Sequence, residues 1–403
     1  MTRSVGLLSV VLASAAPVRT VAAQEPEERG SFDVAEWDAG TLDAAGAPIR
    51  RRVVYPTSGA GPFPLVGVIH GAGRNGGRHI ELARTLASRG YIAVLPDMPC
   101  SITSCDHDAN AAQITALLEW AVAESGMGSS MLSGLVDGSR RGLIGHSWGA
   151  LASHIAASRD STIDSVVLFD PNDDGTEGLS ATPGITAPTL QLLASVAGAC
   201  NSAWNEASVT SMLPDPKLQL TVSGSGHCDP EEPGDSFCGF ACGSGDASTS
   251  TIFRRYAVAW TACVLGSDAT MGAWLGGASM TADEGAGRIE GVGASGLDDL
   301  PCRGGVVPPI DGGAPDTDGG PARDAGGVVP PVDAGRGAPD GGSPRIDSGP
   351  SAGGSADDGG CGCIAPAAAG RDLPALAVFA AITVALLTRS RARRRRRGPR
   401  GRR

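Results

Sequence analysis

The sequence predicts an α/β fold in which helices cover both faces of a mostly parallel β-sheet. Short apolar segments alternate along the chain with longer segments whose apolar residues recur at helical spacing. This alternation is typical of parallel sheets, because each strand needs a crossover connection before the next parallel strand can begin. In such sheets the functional residues lie at the carboxyl ends of the strands.

The individual elements follow from periodicity and from the flanking residues. Residues 79–90 place apolar side chains on one helical face and end at a glycine, which predicts a helix. The same periodicity predicts helices over residues 108–125, from residue 148 onward, and over residues 248–264. Strands are predicted over residues 50–56, 65–70, 91–97, 141–145, 165–169, 188–193 and 217–222.

The N-terminal segment has the three parts of a secretory signal peptide in the right order. Arg3 precedes an apolar run over residues 5–16, and small residues at 21–23 form a signal-peptidase site. We therefore expect residues 1–23 to be removed on export, with a folded domain over residues 24–302.

Residues 303–360, beyond the folded domain, consist largely of proline, glycine, alanine and aspartate. The segment GGVVPPIDGGAPDTDGG, from Gly304, is echoed by GGVVPPVDAGRGAPDGG, from Gly326. A polar repeat of this composition cannot bury enough apolar surface to offset its ordering entropy, and its prolines favour extended backbone. The sequence therefore predicts a disordered spacer.

The C-terminal segment, residues 361–403, combines a Cys-Gly-Cys element, a short apolar run and an arginine cluster. The apolar run, residues 373–388, predicts a short transmembrane span with the arginines on its cytoplasmic side. This order of parts resembles the C-terminal sorting tail of myxobacterial surface proteins, in which the tail is processed. The resemblance implies a secreted protein that is retained at the cell surface or outer membrane.

Cysteine content and charge limit the cofactors and partners of the folded domain. All 10 cysteines except those of the Cys-Gly-Cys element lie within it, and an even number in an exported domain predicts disulfides of unknown pairing. The alternative is a metal site built from His227, Cys228, Cys238 and Cys242, although this spacing matches no paired zinc motif. The net charge of −11 argues against nucleic acid as a partner.

The motif GHSWG, residues 145–149, predicts a nucleophile at Ser147. It fits Gly-x-Ser-x-Gly and stands between a predicted strand and a predicted helix, which is the context that this pattern requires. The sharp turn strains the backbone of the serine, and flanking glycines let the two backbones pass closely. The motif in this context predicts the α/β-hydrolase fold. A glycine-flanked turn without a chemical role is the alternative.

The predicted catalytic base is His227, by elimination among 6 histidines. A serine hydroxyl is a weak nucleophile until a base accepts its proton. In this fold the triad runs serine, acid, histidine along the chain, which excludes the histidines that precede the motif. His146 is held by the turn itself, and His154 lies too far along the following helix. A structural loop histidine is the alternative for His227.

The predicted acid is Asp170, which directly follows the strand over residues 165–169. A carboxylate here would orient the imidazole and stabilise its protonated form. In many hydrolases of this fold the acid follows the next strand, but here residues 194–201 contain no carboxylate. Asp173 and Asp174, farther along the same loop, are the alternatives.

Two backbone N–H groups are predicted to stabilise the oxyanion of the tetrahedral intermediate. One belongs to Trp148, the residue after the nucleophile. The other comes from HGAG, residues 70–73, which follows an apolar strand as the HGGG loops of esterases do. Ala72 is the predicted donor, Gly73 is the alternative, and His70 is expected to pack within the loop.

Three segments of the chain resemble one branch of the serine hydrolases: VVYPTSGAGPFPLVGVIHGAG, LASRGYIAVLPD and GHSWGA. This branch holds polyethylene terephthalate hydrolases, chlorophyllases and platelet-activating-factor acetylhydrolases, and the resemblance covers residues 50–264. The position of the acid, and the sequence GHCD at His227, are most similar to chlorophyllases and acetylhydrolases. Ala150, where a further glycine is usual, and an insert over residues 229–246 depart from the branch around the substrate site.

The triad and the resemblance together imply a secreted, surface-anchored carboxylic ester hydrolase that works through an acyl-enzyme on Ser147. We expect no cofactor, no metal and no nucleic acid, a small-molecule or polymeric ester as substrate, a monomeric catalytic domain and membrane attachment through the C-terminal tail. A peptidase or amidase with the same triad is one alternative. A non-catalytic binding module on the same fold is an alternative from another class.

Overall fold

A nine-stranded β-sheet runs through the part of the chain that the structure describes. The structure is a computed structural model, and it describes residues 24–303 apart from residues 174 and 244. The strands are β1 (Val34–Ala44), β2 (Ala47–Pro56), β3 (Phe63–Ile69), β4 (Ile92–Pro96), β5 (Val136–His146), β6 (Ser165–Phe169), β7 (Thr189–Ala194), β8 (Lys217–Val222) and β9 (Ile289–Ser295).

The sheet is parallel at its centre and antiparallel at its edges. Its strand order is β1-β2-β4-β3-β5-β6-β7-β8-β9. The six strands from β4 to β8 in this order pair in parallel, whereas β1, β2 and β9 pair antiparallel. Strand β5, which precedes the predicted nucleophile Ser147, lies in the middle of the sheet, where its carboxyl end is flanked by parallel neighbours. The predicted α/β fold is confirmed.

Helices cover both faces of this sheet. They are α1 (Ile80–Ser88), α2 (His107–Ser125), α3 (Trp148–Arg159), α4 (Glu177–Ala181), α5 (Glu206–Met212), α6 (Ser236–Cys242), α7 (Ser250–Gly266) and α8 (Ala278–Gly285). Residues of α1 and α7 join one buried apolar cluster, and residues of α2 and α3 join a second. Alternate residues of β4 enter different clusters, and since side chains alternate across a strand, the clusters lie on opposite faces.

The sequence analysis missed both edge strands, β1 and β9. Their side chains are mostly exposed or half-buried, so they lack the apolar runs that mark the central strands. It also began β5 late, at residue 141 rather than Val136, because the first part of that strand is polar and only partly buried. The short helices α4, α5, α6 and α8 were missed too, because they span too few turns to show a periodicity.

Four disulfides join cysteines within the described residues, which confirms the disulfide prediction and supplies the pairing. They are Cys100–Cys105, Cys200–Cys242, Cys228–Cys238 and Cys263–Cys302. The sulfur atoms of Cys228, Cys238 and Cys242 lie within 4.8 Å of one another, but each is bonded within a disulfide. The thiols of the alternative metal site are therefore bonded in cystines.

The predicted signal peptide, the predicted sorting tail and, apart from Arg303, the predicted spacer lie outside the described residues. Among the helices that the structure does describe, none combines the length and the hydropathy needed to cross a membrane.

Candidate active site

The nucleophile turn, residues 145–149, places Ser147 between the last residue of β5 and the first residue of α3. Ser147 has φ 56° and ψ −124°, a strained backbone conformation for a residue other than glycine. A Cβ on Gly145 would lie 2.5 Å from the Gly149 carbonyl oxygen, and a Cβ on Gly149 would lie 2.2 Å from the His70 carbonyl oxygen. Backbone atoms occupy the space of both side chains, so the turn needs glycine at both positions.

Ser147, His227 and Asp170 lie in one hydrogen-bonded line. His227 Nε2 is 2.9 Å from Ser147 Oγ, and His227 Nδ1 is 2.6 Å from Asp170 Oδ2. All three residues are buried. The Nδ1–H group donates to the carboxylate, which leaves Nε2 as the acceptor for the hydroxyl proton. The structure thus brings together the three residues that the sequence analysis singled out.

Asp170 is held by two neighbouring strands. It follows β6 with φ 39°, and its backbone N–H donates to the Leu192 carbonyl oxygen over 2.7 Å. Its Oδ1 accepts the N–H of Ala194, at the end of β7, over 2.9 Å, while its Oδ2 accepts from His227. Strand β7 is followed by no carboxylate, but its last residue thus supplies a backbone N–H that orients the side chain of Asp170.

Of the two alternative acids, Asp173 uses its carboxylate within its own loop. It is buried, and its Oδ1 and Oδ2 accept the N–H groups of Gly175 and Gly178 over 2.8 and 2.9 Å. Both oxygens thus bind the loop and the start of α4. Asp174 lies outside the described residues.

The predicted oxyanion donors adjoin Ser147. Trp148 is the first residue of α3, so its N–H has no acceptor within the helix. The loop over residues 70–73 passes close to the nucleophile, since a Cβ on Gly71 would lie 3.0 Å from Ser147 Cβ. Gly73 N–H donates to a carbonyl oxygen over 2.7 Å, whereas Ala72 N–H has no acceptor within the described residues. This difference favours Ala72 over Gly73.

Burial keeps several other histidines in the neutral form. His70 accepts a backbone N–H at Nε2 over 2.8 Å, as a loop-packing residue would, and burial lowers its pKa. His146 Nε2 donates to the His227 carbonyl oxygen over 2.7 Å, and burial holds the pKa of His146 well below its usual value. His154 bonds Thr182 Oγ1 over 3.0 Å, and burial lowers its pKa to about 4.

Two disulfide-closed segments border the site and carry exposed apolar side chains. Ile102, within the Cys100–Cys105 segment, is 50% exposed and lies against Gly73 of the oxyanion loop. The insert over residues 229–246 contains α6, where Phe237 and Phe240 are 55% and 71% exposed. A disulfide ties α6 to the residue after His227. The sequence analysis noted this insert but missed its helix.

A serine, a histidine and a carboxylate joined in this order after the strands of a parallel sheet define the class of α/β-hydrolases. The chain belongs to the PET hydrolase-like family, whose match covers residues 14–280. It is therefore a hydrolase that acts on esters, as the resemblance implied. No curated protein matches the chain.

Proposed function

We propose that the protein is a serine hydrolase that cleaves carboxylic esters through an acyl-enzyme on Ser147. In the first step His227 Nε2 takes the hydroxyl proton while Ser147 Oγ attacks the ester carbonyl carbon. The tetrahedral intermediate collapses when His227 returns the proton to the departing alcohol, which leaves the acyl group on Oγ. A water molecule then gives a proton to the same nitrogen and attacks the acyl carbon. The bond between Oγ and the acyl group breaks, Oγ takes the proton back from Nε2, and the acid is released. The observation that carries this proposal is the distance of 2.9 Å between Oγ and Nε2.

The remaining groups stabilise charge in these steps. Asp170 holds the Nδ1–H tautomer of His227 and stabilises the imidazolium that forms when Nε2 accepts the proton. The N–H groups of Ala72 and Trp148 donate to the oxygen that becomes negative in the tetrahedral intermediate. The exposed apolar side chains of the two disulfide-closed segments next to the site support an apolar acyl or alcohol group, in a small molecule or a polymer.

A replacement of the nucleophile tests this proposal. We expect Ser147→Ala to lower the rate of nitrophenyl ester hydrolysis by a factor on the order of 10⁵ or more, because only binding and the oxyanion donors remain. Circular dichroism checks that the variant is folded. Turnover close to that of the wild type would contradict the assignment.

The same assay separates an esterase from its rivals. We expect the wild type to hydrolyse nitrophenyl esters of graded acyl length and to leave a matched peptide anilide intact. Faster cleavage of the anilide would favour a peptidase or amidase. No covalent labelling of Ser147 by a fluorophosphonate, with no turnover of any ester, would favour a binding module.

The proposed location of the protein rests on parts of the sequence outside the described residues. A signal peptide over residues 1–23, a spacer and a C-terminal sorting tail support a hydrolase that is secreted and retained at the cell surface. We expect replacement of Cys361 and Cys363 with serine to release the protein into the medium, as measured by fractionation and immunoblotting. Unchanged retention, with the arginine cluster still present in the mature protein, would indicate an ordinary membrane anchor.

A further inference from the structure

A buried ion pair joins the oxyanion loop to the loop that carries the base. Arg74 lies two positions after Ala72, and Glu231 lies four positions after His227. Arg74 Nε is 2.7 Å from Glu231 Oε1, and Arg74 Nη2 is 2.5 Å from Glu231 Oε2. The two planar groups therefore form a bidentate pair, which constrains the separation and the orientation of the two loops.

The pair is almost completely removed from solvent. The Glu231 side chain is 0% exposed and the Arg74 side chain is 11% exposed. Arg74 also bonds Asp235, at the start of α6, over 2.5 Å, and Arg78 bonds the same carboxylate over 2.7 Å. Desolvation offsets most of the attraction in a buried ion pair, so apolar residues would stabilise such a position about as well. A contribution to stability therefore does not explain why charged residues stand here. The fixed distance and orientation that a bidentate pair imposes on the two loops do explain it.

The nucleophile turn contacts the same pair. Glu231 Oε1 is 3.9 Å from His146 Nδ1, and His146 Nε2 donates to the His227 carbonyl oxygen over 2.7 Å. Because a carbonyl oxygen only accepts, the proton of this neutral imidazole lies on Nε2. Glu231 thus lies beside the residue that precedes Ser147, and its own loop is bonded to that residue.

We propose that Arg74 and Glu231 are positioning residues, which set the oxyanion donor of Ala72 and the imidazole of His227 at the correct distance from Ser147. This inference rests on the function proposed above. Neither side chain touches the reacting atoms in this role. Breaking the pair would let the two loops shift relative to Ser147. Stabilisation of the transition state would then be lost, whereas substrate binding would change little.

The test uses two conservative variants and their combination in the purified protein. Glu231→Gln keeps the shape of the side chain but not its charge, and Arg74→Lys keeps the charge but not the bidentate geometry. We expect each to lower kcat for a nitrophenyl ester about 10-fold with KM within about twofold, which is less than the loss of a whole oxyanion donor. The double variant should also lose about 10-fold, because each change breaks the same link.

A second readout reports the oxyanion geometry directly. An alkyl boronic acid forms a tetrahedral adduct on the serine, with an oxygen where the oxyanion of the intermediate would lie. We expect its Kd to rise by about the same factor as kcat falls, since transition-state analogues depend on the same donors. Rates are expressed per active site, titrated with a fluorophosphonate, so that unfolded protein does not contribute.

Arg255→Lys is the matched control. Arg255, in α7, forms a bidentate pair with Glu27 through Nε and Nη2, and its side chain is 12% exposed. Its Nη1 also donates to both carboxylate oxygens of Asp283, in α8, over 2.9 and 2.8 Å. This variant should lower the unfolding midpoint but leave kcat per active site within about twofold. A similar loss of kcat in the control would overturn the positioning role. A loss in the double variant equal to the product of the losses in Glu231→Gln and Arg74→Lys would overturn it as well.

Unchanged kcat and boronate affinity in both active-site variants, with Ser147→Ala inactive, would overturn the positioning role alone. Full activity of Ser147→Ala would instead overturn the proposed function.

Discussion

The carboxylate of Asp170 has a separate partner for each oxygen, and one of these partners is the imidazole of His227. Oδ2 accepts from His227, and Oδ1 accepts from the backbone of Ala194. The backbone of Asp170, at φ 39°, directs the side chain toward the neighbouring strand rather than along its own loop. Asp173, by contrast, accepts one N–H group of its own loop and one at the start of α4.

We expect Asp170→Asn to lower kcat by a factor on the order of 10³ to 10⁴, because asparagine cannot stabilise the imidazolium and favours the wrong tautomer. Asp173→Asn is the matched control. It replaces a buried carboxylate in the same loop, so it should lower stability while leaving kcat within about threefold of the wild type. Steady-state kinetics and urea unfolding of the two variants measure both effects. A reversed ranking of the two kcat values would show that the acid is misassigned.

At the scale of single elements, helix α6 is held at both ends. Its N-terminal Asp235 pairs with Arg74 and Arg78, and its C-terminal Cys242 is bonded to Cys200 in the loop after β7. A helix this short is not stable by itself, so covalent and ionic links have to supply what packing does not. These links, together with the Cys228–Cys238 disulfide, fix α6 and its exposed Phe237 and Phe240 to the loop that carries His227.

Removal of the Cys200–Cys242 disulfide should be more costly than removal of Cys100–Cys105. The two links close segments with sequence separations of 42 and 5 residues, and the constraint on the unfolded chain grows with the length of the loop. We expect paired Cys→Ser changes at 200 and 242 to lower the free energy of unfolding by about 3 to 4.7 kcal/mol. Guanidinium unfolding of both double variants under the same conditions provides the comparison. Equal losses would contradict this account.

At the scale of the whole molecule, burial of neutral histidines makes stability depend on pH. Burial is the largest cause that lowers the pKa of each of these side chains, to about 3 for His79 and about 4 for His154. The pKa values of His70 and His146 are lowered as well. In the unfolded chain the same groups titrate near the usual value of about 6.5.

We therefore expect the protein to lose stability as the pH falls below about 6.5, because the unfolded chain binds protons that the folded protein does not. A histidine with a lowered pKa contributes stability above its unfolded pKa, and this contribution declines as the pH approaches its folded pKa. Each such group adds up to about 1.4 kcal/mol per pH unit to the slope. Urea unfolding at pH 7, 6 and 5 gives the free energy of unfolding at each pH and therefore this slope.

The control is His154→Gln. It should reduce the difference in bound protons between the unfolded and folded states by about one, and the slope by about 1.4 kcal/mol per pH unit, while leaving the other buried histidines unchanged. Free energies of unfolding that stay constant between pH 7 and pH 5 would contradict the prediction.

The sequence supported strong predictions wherever function depends on local geometry. The turn at Ser147 is marked in the sequence by glycines on either side. Backbone atoms of the turn itself and of the loop over residues 70–73 occupy the space that side chains would need at those two positions. The central strands and long helices are marked by apolar periodicity. Chain order excluded three of the six histidines, and their distance from Ser147 along the chain excluded His146 and His154. The edge strands β1 and β9 lack that periodicity, since much of each is exposed.

By itself, the sequence determined the fold class and singled out Ser147 and His227 as the predicted nucleophile and base, because each depends on residues close together in the chain or on their order. Only the tertiary structure showed that His227 bonds Asp170 and not Asp173, paired the cysteines and showed that Arg74 bonds Glu231. Those outcomes depend on which segments lie next to one another across the sheet. The physical reason is that burial and hydrogen bonding act between residues far apart in the chain, and no local pattern records such contacts.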